Sequence, residues 1–362
     1  MNKKIILSLL FGGILSIITL YFAFRNVPFA ALIDYLGSIN FIWIIPSVLF
    51  VLIGFMGRAL RWQVILQSSH QIRYWRAFHP MMIGFMLNCI LPARIGELAR
   101  PAVLLKKDHV PYTTGLATVA TERVFDLLIM ITLFTIVFLN VRIDPNLEIP
   151  FGAYKLNKDT LESIGSGMIK LLLVLIAGIV IISIDRVKTG IIRIISRLPD
   201  LFFVAGPGAQ QMISRFIALP LVRVVENVAA GFVLVKDGRR MLLCILLSSI
   251  IWVINATSYY LMALGCPDLG LSPLEITAVM LIICFFIALP SVPGFWGLWE
   301  AGGVFALSLF SIPAKDAAGF ALASHAVQMF PVIFIGMVSA LVYGINIRAI
   351  QVQPVSNGAM DP

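Results

Sequence analysis

Charge is scarce in this sequence. Asp, Glu, Lys and Arg make up 12% of its 362 residues, while 60% are hydrophobic. Soluble domains carry about a quarter charged residues, so a helical integral membrane protein is expected. Enzyme signatures are missing too. No P-loop, His-Glu-x-x-His, Gly-x-Ser-x-Gly or Asp-rich diphosphate motif occurs, which excludes the common nucleotide, zinc-protease and hydrolase sites. His70, His79, His109 and His325 have no ligand spacing. Cys89, Cys244, Cys266 and Cys284 are scattered, which excludes a disulfide framework and a metal set and leaves packing roles. No cofactor or metal is expected. The net charge of +9 comes without a basic run interleaved with aromatics, so nucleic acid is not the expected partner. In a membrane chain, basic residues collect in cytoplasmic loops.

What the chain does have is long apolar runs. Ile5–Phe24 follows Lys3 and Lys4, is longer than a signal-peptide core, and lacks a small-residue cleavage site after it, so an uncleaved first helix is expected. Phe41–Gly57 is the second run. Arg58, Arg61, Arg73 and Arg76 follow, among Trp62, Tyr74 and Trp75, a mixture suited to a membrane–water interface. Further runs are Thr113–Leu139, Met168–Ile184, Met241–Leu264 and Ala317–Tyr343. The loop Asn140–Gly167 is balanced in charge. Asp185–Arg240 carries nine Lys and Arg against four Asp and Glu, a cytoplasmic signal, and Val187–Leu198 suits an amphipathic helix on the inner leaflet.

Two other runs are too short to cross alone. Met81–Leu91 has cations on both sides, and crossing would carry Arg94, Arg100, Lys106 and Lys107 outward against the positive-inside rule. A re-entrant hairpin turning near Leu91-Pro92 and returning through Ile95–Leu105 removes the conflict. Leu274–Phe310, interrupted at Ser291–Glu300, reads as a second hairpin from the opposite side. The two are alike in sequence: Leu91-Pro92, Gly96-Glu97, Val110-Pro111 and Gly115 parallel Leu289-Pro290, Gly297 to Glu300, Ile312-Pro313 and Gly319. Glutamate to proline is 14 residues in the first and 13 in the second.

The expected fold is therefore all-α, a polytopic transmembrane bundle of about six crossings plus two re-entrant hairpins arranged as inverted repeats. Residues 1–350 form one integral membrane domain, with halves 1–167 and 168–350, a cytoplasmic amphipathic stretch at 185–240, and a cytoplasmic tail at 351–362. Both termini are expected in the cytoplasm.

Charges inside these runs need partners. Glu122, Arg123 and Asp126 lie in one helix, where each charge costs about 2.5–3.5 kcal/mol at the bilayer centre. Glu122 and Asp126, four residues apart, repel unless cations intervene. Arg94 and Arg100 are the candidate partners, and Arg94, Glu97 and Arg100 share one helix face. Two readings stay open: a salt-bridge lock between hairpin and helix, or guanidinium forks presented to a phosphate. Glu300 and His325 are the counterparts in the second half.

Leu91-Pro-Ala-Arg-Ile-Gly-Glu-Leu-Ala-Arg100, Thr121-Glu-Arg-Val-Phe-Asp126 and Pro290-Ser-Val-Pro-Gly-Phe-Trp-Gly-Leu-Trp-Glu300 resemble the lysylphosphatidylglycerol synthase transmembrane-region family, also called flippase-like. The resemblance extends from the first helix to Tyr343. It implies a multi-pass protein of a prokaryotic cytoplasmic membrane that handles a lipid. Its matching positions are Arg94, Glu97, Arg100, Glu122, Arg123, Asp126 and Glu300; His325 stands where the family often carries arginine. The chain ends at Pro362 without room for the family's cytosolic transferase domain, so a stand-alone member is expected and lysyl transfer is not implied. The leading expectation is a translocase for a phospholipid or polyprenyl-phosphate-type lipid, with these residues and His325 binding an anionic headgroup. A lipid-linked glycosyltransferase or its membrane subunit, and an anchor for a partner enzyme in the membrane, are the alternatives. No feature sets an oligomeric state.

Overall fold

In hydrocarbon every backbone polar group must be paired within its own segment, so the apolar runs have to become helices. A computed structural model describes residues 3–25, 27–91, 94–140, 185–200, 206–219, 237–289 and 293–345, with short pieces between 149 and 177 and at 221–222. Helices α1 (Lys3–Phe24), α2 (Phe29–Ser38), α3 (Ile44–Leu66), α4 (Tyr74–Ile90), α5 (Ile95–Asp108) and α6 (Tyr112–Asn140) come first. An antiparallel ribbon follows, with Ile149 opposite Leu156. Then come α7 (Asp185–Arg197), α8 (Gly206–Ile213), α9 (Gly238–Gly265), α10 (Pro273–Ile287), α11 (Leu298–Ser308) and α12 (Ala314–Val342). Short 3-10 turns precede α3 (Phe41–Trp43) and α11 (Pro293–Phe295). The fold is an all-α membrane bundle, and the expected class holds.

Phe41–Leu66, Gly238–Gly265 and Ala314–Val342 are each long and apolar enough to cross a bilayer, and Gly13–Phe24 and Phe29–Ser38 reach that length and hydropathy only when taken together, with a bend of 79° between them. At 29 residues, α6 has the length as well. Most of Met168–Ile184 lies outside the described residues, as does all of the 351–362 tail and much of 185–240.

Small residues bring α3 and α9 together. Ser47 Oγ donates to the Ser258 carbonyl at 2.8 Å and Ser258 Oγ returns a bond to the Ser47 carbonyl at 3.0 Å. Gln328 Nε2 from α12 donates to Ser258 Oγ at 3.0 Å, tying a third helix to the pair. Without water, such reciprocal bonds and close contacts are what hold membrane helices together.

The two short apolar runs fold back on themselves. Gly84 and Gly96 face each other across α4 and α5: a Cβ on Gly84 would sit 2.7 Å from the Gly96 carbonyl, and one on Gly96 would strike the Gly84 carbonyl and lie 2.6 Å from Asn88 Oδ1. That close approach packs α4 and α5 against each other as an antiparallel pair. In the second pair, Gly302 of α11 lies against Phe286 and Ile283 of α10. The proline-containing stretches that the sequence marks separate α4 from α5 and α10 from α11.

One boundary differs from the sequence reading. The second run does not stop at Gly57; α3 continues to Leu66, and Arg61 and Trp62 are fully buried within it. Of the four arginines that look interfacial, Arg73 and Arg76 are exposed as expected, but Arg58 and Arg61 lie inside the bundle, because α4, α6 and α9 pack against α3.

Candidate functional site

The charged residues of α6 are paired, as their cost in an apolar setting requires. Glu122 Oε2 accepts from Arg100 Nη1 at 2.9 Å, and Glu122 Oε1 accepts from Arg123 Nη2 at 2.8 Å. Asp126 Oδ1 accepts from Arg61 Nη1 at 2.7 Å, and Arg61 Nη2 stands 3.4 Å from Glu122 Oε1. Arg61 thus lies between the two carboxylates and removes their repulsion. Its Nη1 also donates to Ser248 Oγ of α9 at 2.8 Å. Asp126 Oδ2 faces Arg123 at 3.4 Å and Arg58 at 3.8 Å. The ion pairs therefore join α3, α5, α6 and, through Ser248, α9.

Burial sorts the arginines. The side chains of Arg61 and Arg100 are 0% exposed, that of Arg58 is 13% exposed, and that of Arg123 is 34% exposed. Arg100 also lies over the Phe85 ring at 4.2 Å and the Trp62 ring at 5.7 Å, so aromatic faces take up the part of its cation that Glu122 does not. The expected pairing of Arg100 with the α6 carboxylates is found. Arg94 pairs with neither Glu122 nor Asp126.

Arg94 sits instead at the turn between α4 and α5. Its backbone is left-handed (φ 52°, ψ 34°), a conformation that costs a non-glycine residue about 1–2 kcal/mol. Its Nη2 donates to the Ile287 carbonyl at 2.7 Å, its Nη1 stands 3.9 Å from Glu97 Oε1, and its guanidinium lies 5.8 Å from the Phe295 ring centre. The turn of the first pair is therefore bound to the end of α10, where carbonyls lack helical partners. Through this bond and its packing against α6, α10 borders the same site.

Glu300 and His325 form a separate unit. Both are fully buried, with His325 Nδ1 2.6 Å from Glu300 Oε1 and His325 Nε2 2.7 Å from the Gly294 carbonyl. Glu300 Oε2 accepts from the Gly297 N–H at 2.7 Å, and Trp299 stacks on the His325 ring at 4.6 Å. Gly294 and Gly297 have φ of +71° and +90°, which a side chain would strain. The carboxylate and imidazole fix this turn, and their hydrogen bonds are to it and to each other.

Sequence reading assigns Arg58 and Arg61 to the membrane interface and not to the site. The signal that reveals them is the apolar stretch after them: Trp62, Val64, Ile65 and Leu66 continue the helix, so Arg58 and Arg61, at i and i+3, occupy one side of a buried segment. Among the described residues no group of three or more His, Cys, Asp or Glu is placed to hold a metal ion.

Comparison with known proteins follows this geometry. The family model for the lysylphosphatidylglycerol synthase TM region matches residues 5–336. The glycosyltransferase AglD of Haloferax volcanii is 24% identical over 93% of this chain and 54% of its own length. The UPF0104 membrane protein MJ1078 of Methanocaldococcus jannaschii is 34% identical over 27% of this chain and 38% of its own length. The chain thus spans about half of the first relative. No solved structure matches it. All three sequence motifs fall inside the matched region, and the chain belongs to the lysylphosphatidylglycerol synthase transmembrane-region family.

Proposed function

We propose that this protein is a lipid translocase that moves a lipid with an anionic phosphate headgroup, a phospholipid or a polyprenyl phosphate, across the cytoplasmic membrane. The observation that supports this reading best is the meeting of Arg94 with the end of α10 beside a network of arginines that is only partly exposed. Guanidinium forks match phosphate oxygens, and an apolar bundle excludes water from the contact. In this reading the two helix pairs are re-entrant hairpins entering from opposite sides, with both termini in the cytoplasm and the headgroup site near the midplane. Arg94, Arg123 and Arg58 contact the headgroup, Glu97 orients Arg94, and Arg61 and Arg100 with Glu122 and Asp126 hold the scaffold. Glu300 and His325 shape the second turn, while the lipid tails stay in the bilayer. Protein reconstituted in vesicles should accelerate transbilayer movement of fluorescent anionic lipid. If movement matches that of empty vesicles across several headgroups, the reading fails.

A second reading draws on the glycosyltransferase among the relatives: a membrane part of a lipid-linked glycosyl transfer system. Glu122 and Asp126 are held by arginines, so Glu97, 3.9 Å from Arg94 and partly exposed, is the base it has available. Product from a polyprenyl-phosphate sugar, lost in Glu97→Gln, would favour this reading over the first.

A further inference from the structure

The arginine network is not neutral. Through ion contacts of 3.8 Å or less, four guanidinium groups (Arg58, Arg61, Arg100, Arg123) join two carboxylates (Glu122, Asp126), a formal surplus of two positive charges. The neighbouring Arg94–Glu97 pair adds nothing to the sum. Arginine does not deprotonate in proteins, so the surplus cannot be removed by losing a proton.

Donors are also in excess. Both Glu122 oxygens and Asp126 Oδ1 accept hydrogen bonds, and Asp126 Oδ2 faces two guanidinium groups. Yet Nε and Nη2 of Arg61, Nε and Nη2 of Arg100, and Nε of Arg123 are buried without a hydrogen-bond partner, five donor atoms against a single such acceptor in the network, Asp126 Oδ2. Buried charge without a counterion is among the costliest arrangements in an apolar setting. An anion carrying about two charges would cancel the surplus.

We propose that this network selects a doubly charged phosphate on a lipid, a phosphomonoester or a diphosphate, over the singly charged phosphodiester of an ordinary glycerophospholipid. The proposal rests on the reading of the network as a headgroup site. A phosphodiester brings one charge and two free oxygens, and leaves one guanidinium uncompensated. A phosphomonoester brings nearly two charges at pH 7.5 and three oxygens for the forks. Arg123 and Arg58, the network members with exposed side-chain surface besides Asp126, are the guanidinium groups it meets first.

The ligand's own ionisation provides the test. A phosphomonoester takes up its second proton near pH 6, at about pKa 6, whereas a phosphodiester does not titrate there. The titratable groups around the site are Glu97 on α5, Glu122 and Asp126 on α6, and Cys284 on α10, with Arg58 and Arg61 on α3 and Ser248 on α9. Their effects apply to both lipids, so the difference between lipids isolates the headgroup.

Purified full-length protein in neutral micelles is titrated with dioleoyl phosphatidic acid, dioleoyl phosphatidylglycerol and inorganic phosphate, following tryptophan fluorescence. The expected result at pH 7.5 is phosphatidic acid binding at least about tenfold tighter than phosphatidylglycerol, a gap that narrows to within about threefold at pH 5.5. Arg58→Gln should shrink the gap at pH 7.5 and Arg58→Lys keep it. If Arg58→Gln does not accumulate, Arg123→Gln carries the same comparison. Equal affinity for both lipids at pH 7.5 overturns the proposal while leaving the headgroup site standing. Binding of neither lipid removes the site itself. Inorganic phosphate competing at concentrations equal to the lipid overturns the lipid source in favour of a free anion.

Discussion

Arg94 Nη2 donates a 2.7 Å hydrogen bond to the carbonyl oxygen of Ile287, the last residue of α10. This couples the turn of the first helix pair to the end of the second, through a residue held in a left-handed conformation. A side chain so placed is suited to exchanging a carbonyl for a phosphate oxygen, because both accept from the same fork. Arg94→Ala is expected to insert and accumulate normally, since the side chain is 38% exposed, while transport falls at least about tenfold, a loss of about 1.4 kcal/mol in transition-state stabilisation. Arg94→Lys keeps the charge without the fork and should recover part of the rate. Vesicle transport, normalised to immunodetected protein, reads both. Unimpaired transport by Arg94→Ala would exclude Arg94 from the headgroup path.

Arg61 should behave in the opposite way. It bonds Asp126 and Ser248 with no exposed side-chain surface, so Arg61→Ala takes away the buried donor to Asp126 Oδ1 and Ser248 Oγ and is expected to destabilise by about 1–3 kcal/mol. Arg100→Ala loses its bond to Glu122 and its aromatic contact and is expected in the same range. Melting of detergent-purified protein and the level reached in the membrane are the measurements. A variant of either that accumulates and melts like the parent would show that the network is not structural at that position.

The contrast between Arg94 and Arg61 also marks how far the sequence could be read. Scarce charge and long apolar runs announce the helical membrane class, and proline in the short runs marks where α4 ends before α5 and α10 ends before α11. The link between Arg100 and Glu122 follows from cost alone, because a charge in an apolar segment must find a partner. Arg61 was hidden because arginines near tryptophans at the end of an apolar run have the composition of an interface, and only the packing of α4, α6 and α9 around α3 buries it. Arg94's partner had no side-chain signature at all, since it is a backbone carbonyl.

The close approach of α4 and α5 leads to a test of the first helix pair. Gly96→Ala places a methyl against the Gly84 backbone, which cannot give as a flexible side chain could. The pair must separate, at about 1–3 kcal/mol or more. Arg100 and Arg94, on either side of Gly96 along the chain, would shift with it. Both lower thermal stability and lost transport are expected, and unchanged values for both would contradict the packing.

The Glu300–His325 unit is expected to matter for stability before transport. His325→Ala removes the partner of Glu300 Oε1 and the donor to the Gly294 carbonyl, leaving a buried carboxylate with one remaining hydrogen bond. Loss of about 3–5 kcal/mol follows from leaving such a group uncompensated. Transport should fall in proportion to the folded protein remaining. A variant that folds at parental levels yet does not transport would instead assign the histidine to the headgroup path.

Cys284 offers a readout of the junction without any substitution. It lies on α10 one turn before Ile287, whose carbonyl Arg94 holds, and is partly exposed. Cys89, on α4 and also partly exposed, serves as the reference thiol. A phosphate lipid seated on the arginines should shield Cys284, slowing its modification by a small maleimide at least about threefold while Cys89 is unchanged. In Arg94→Ala the bond to Ile287 is gone, so Cys284 should react faster than in the parent when no lipid is added. Peptide mapping by mass spectrometry reports both thiols in one sample. Parallel changes at Cys89 and Cys284 would point to a general loosening of the bundle and exclude a local event at the junction.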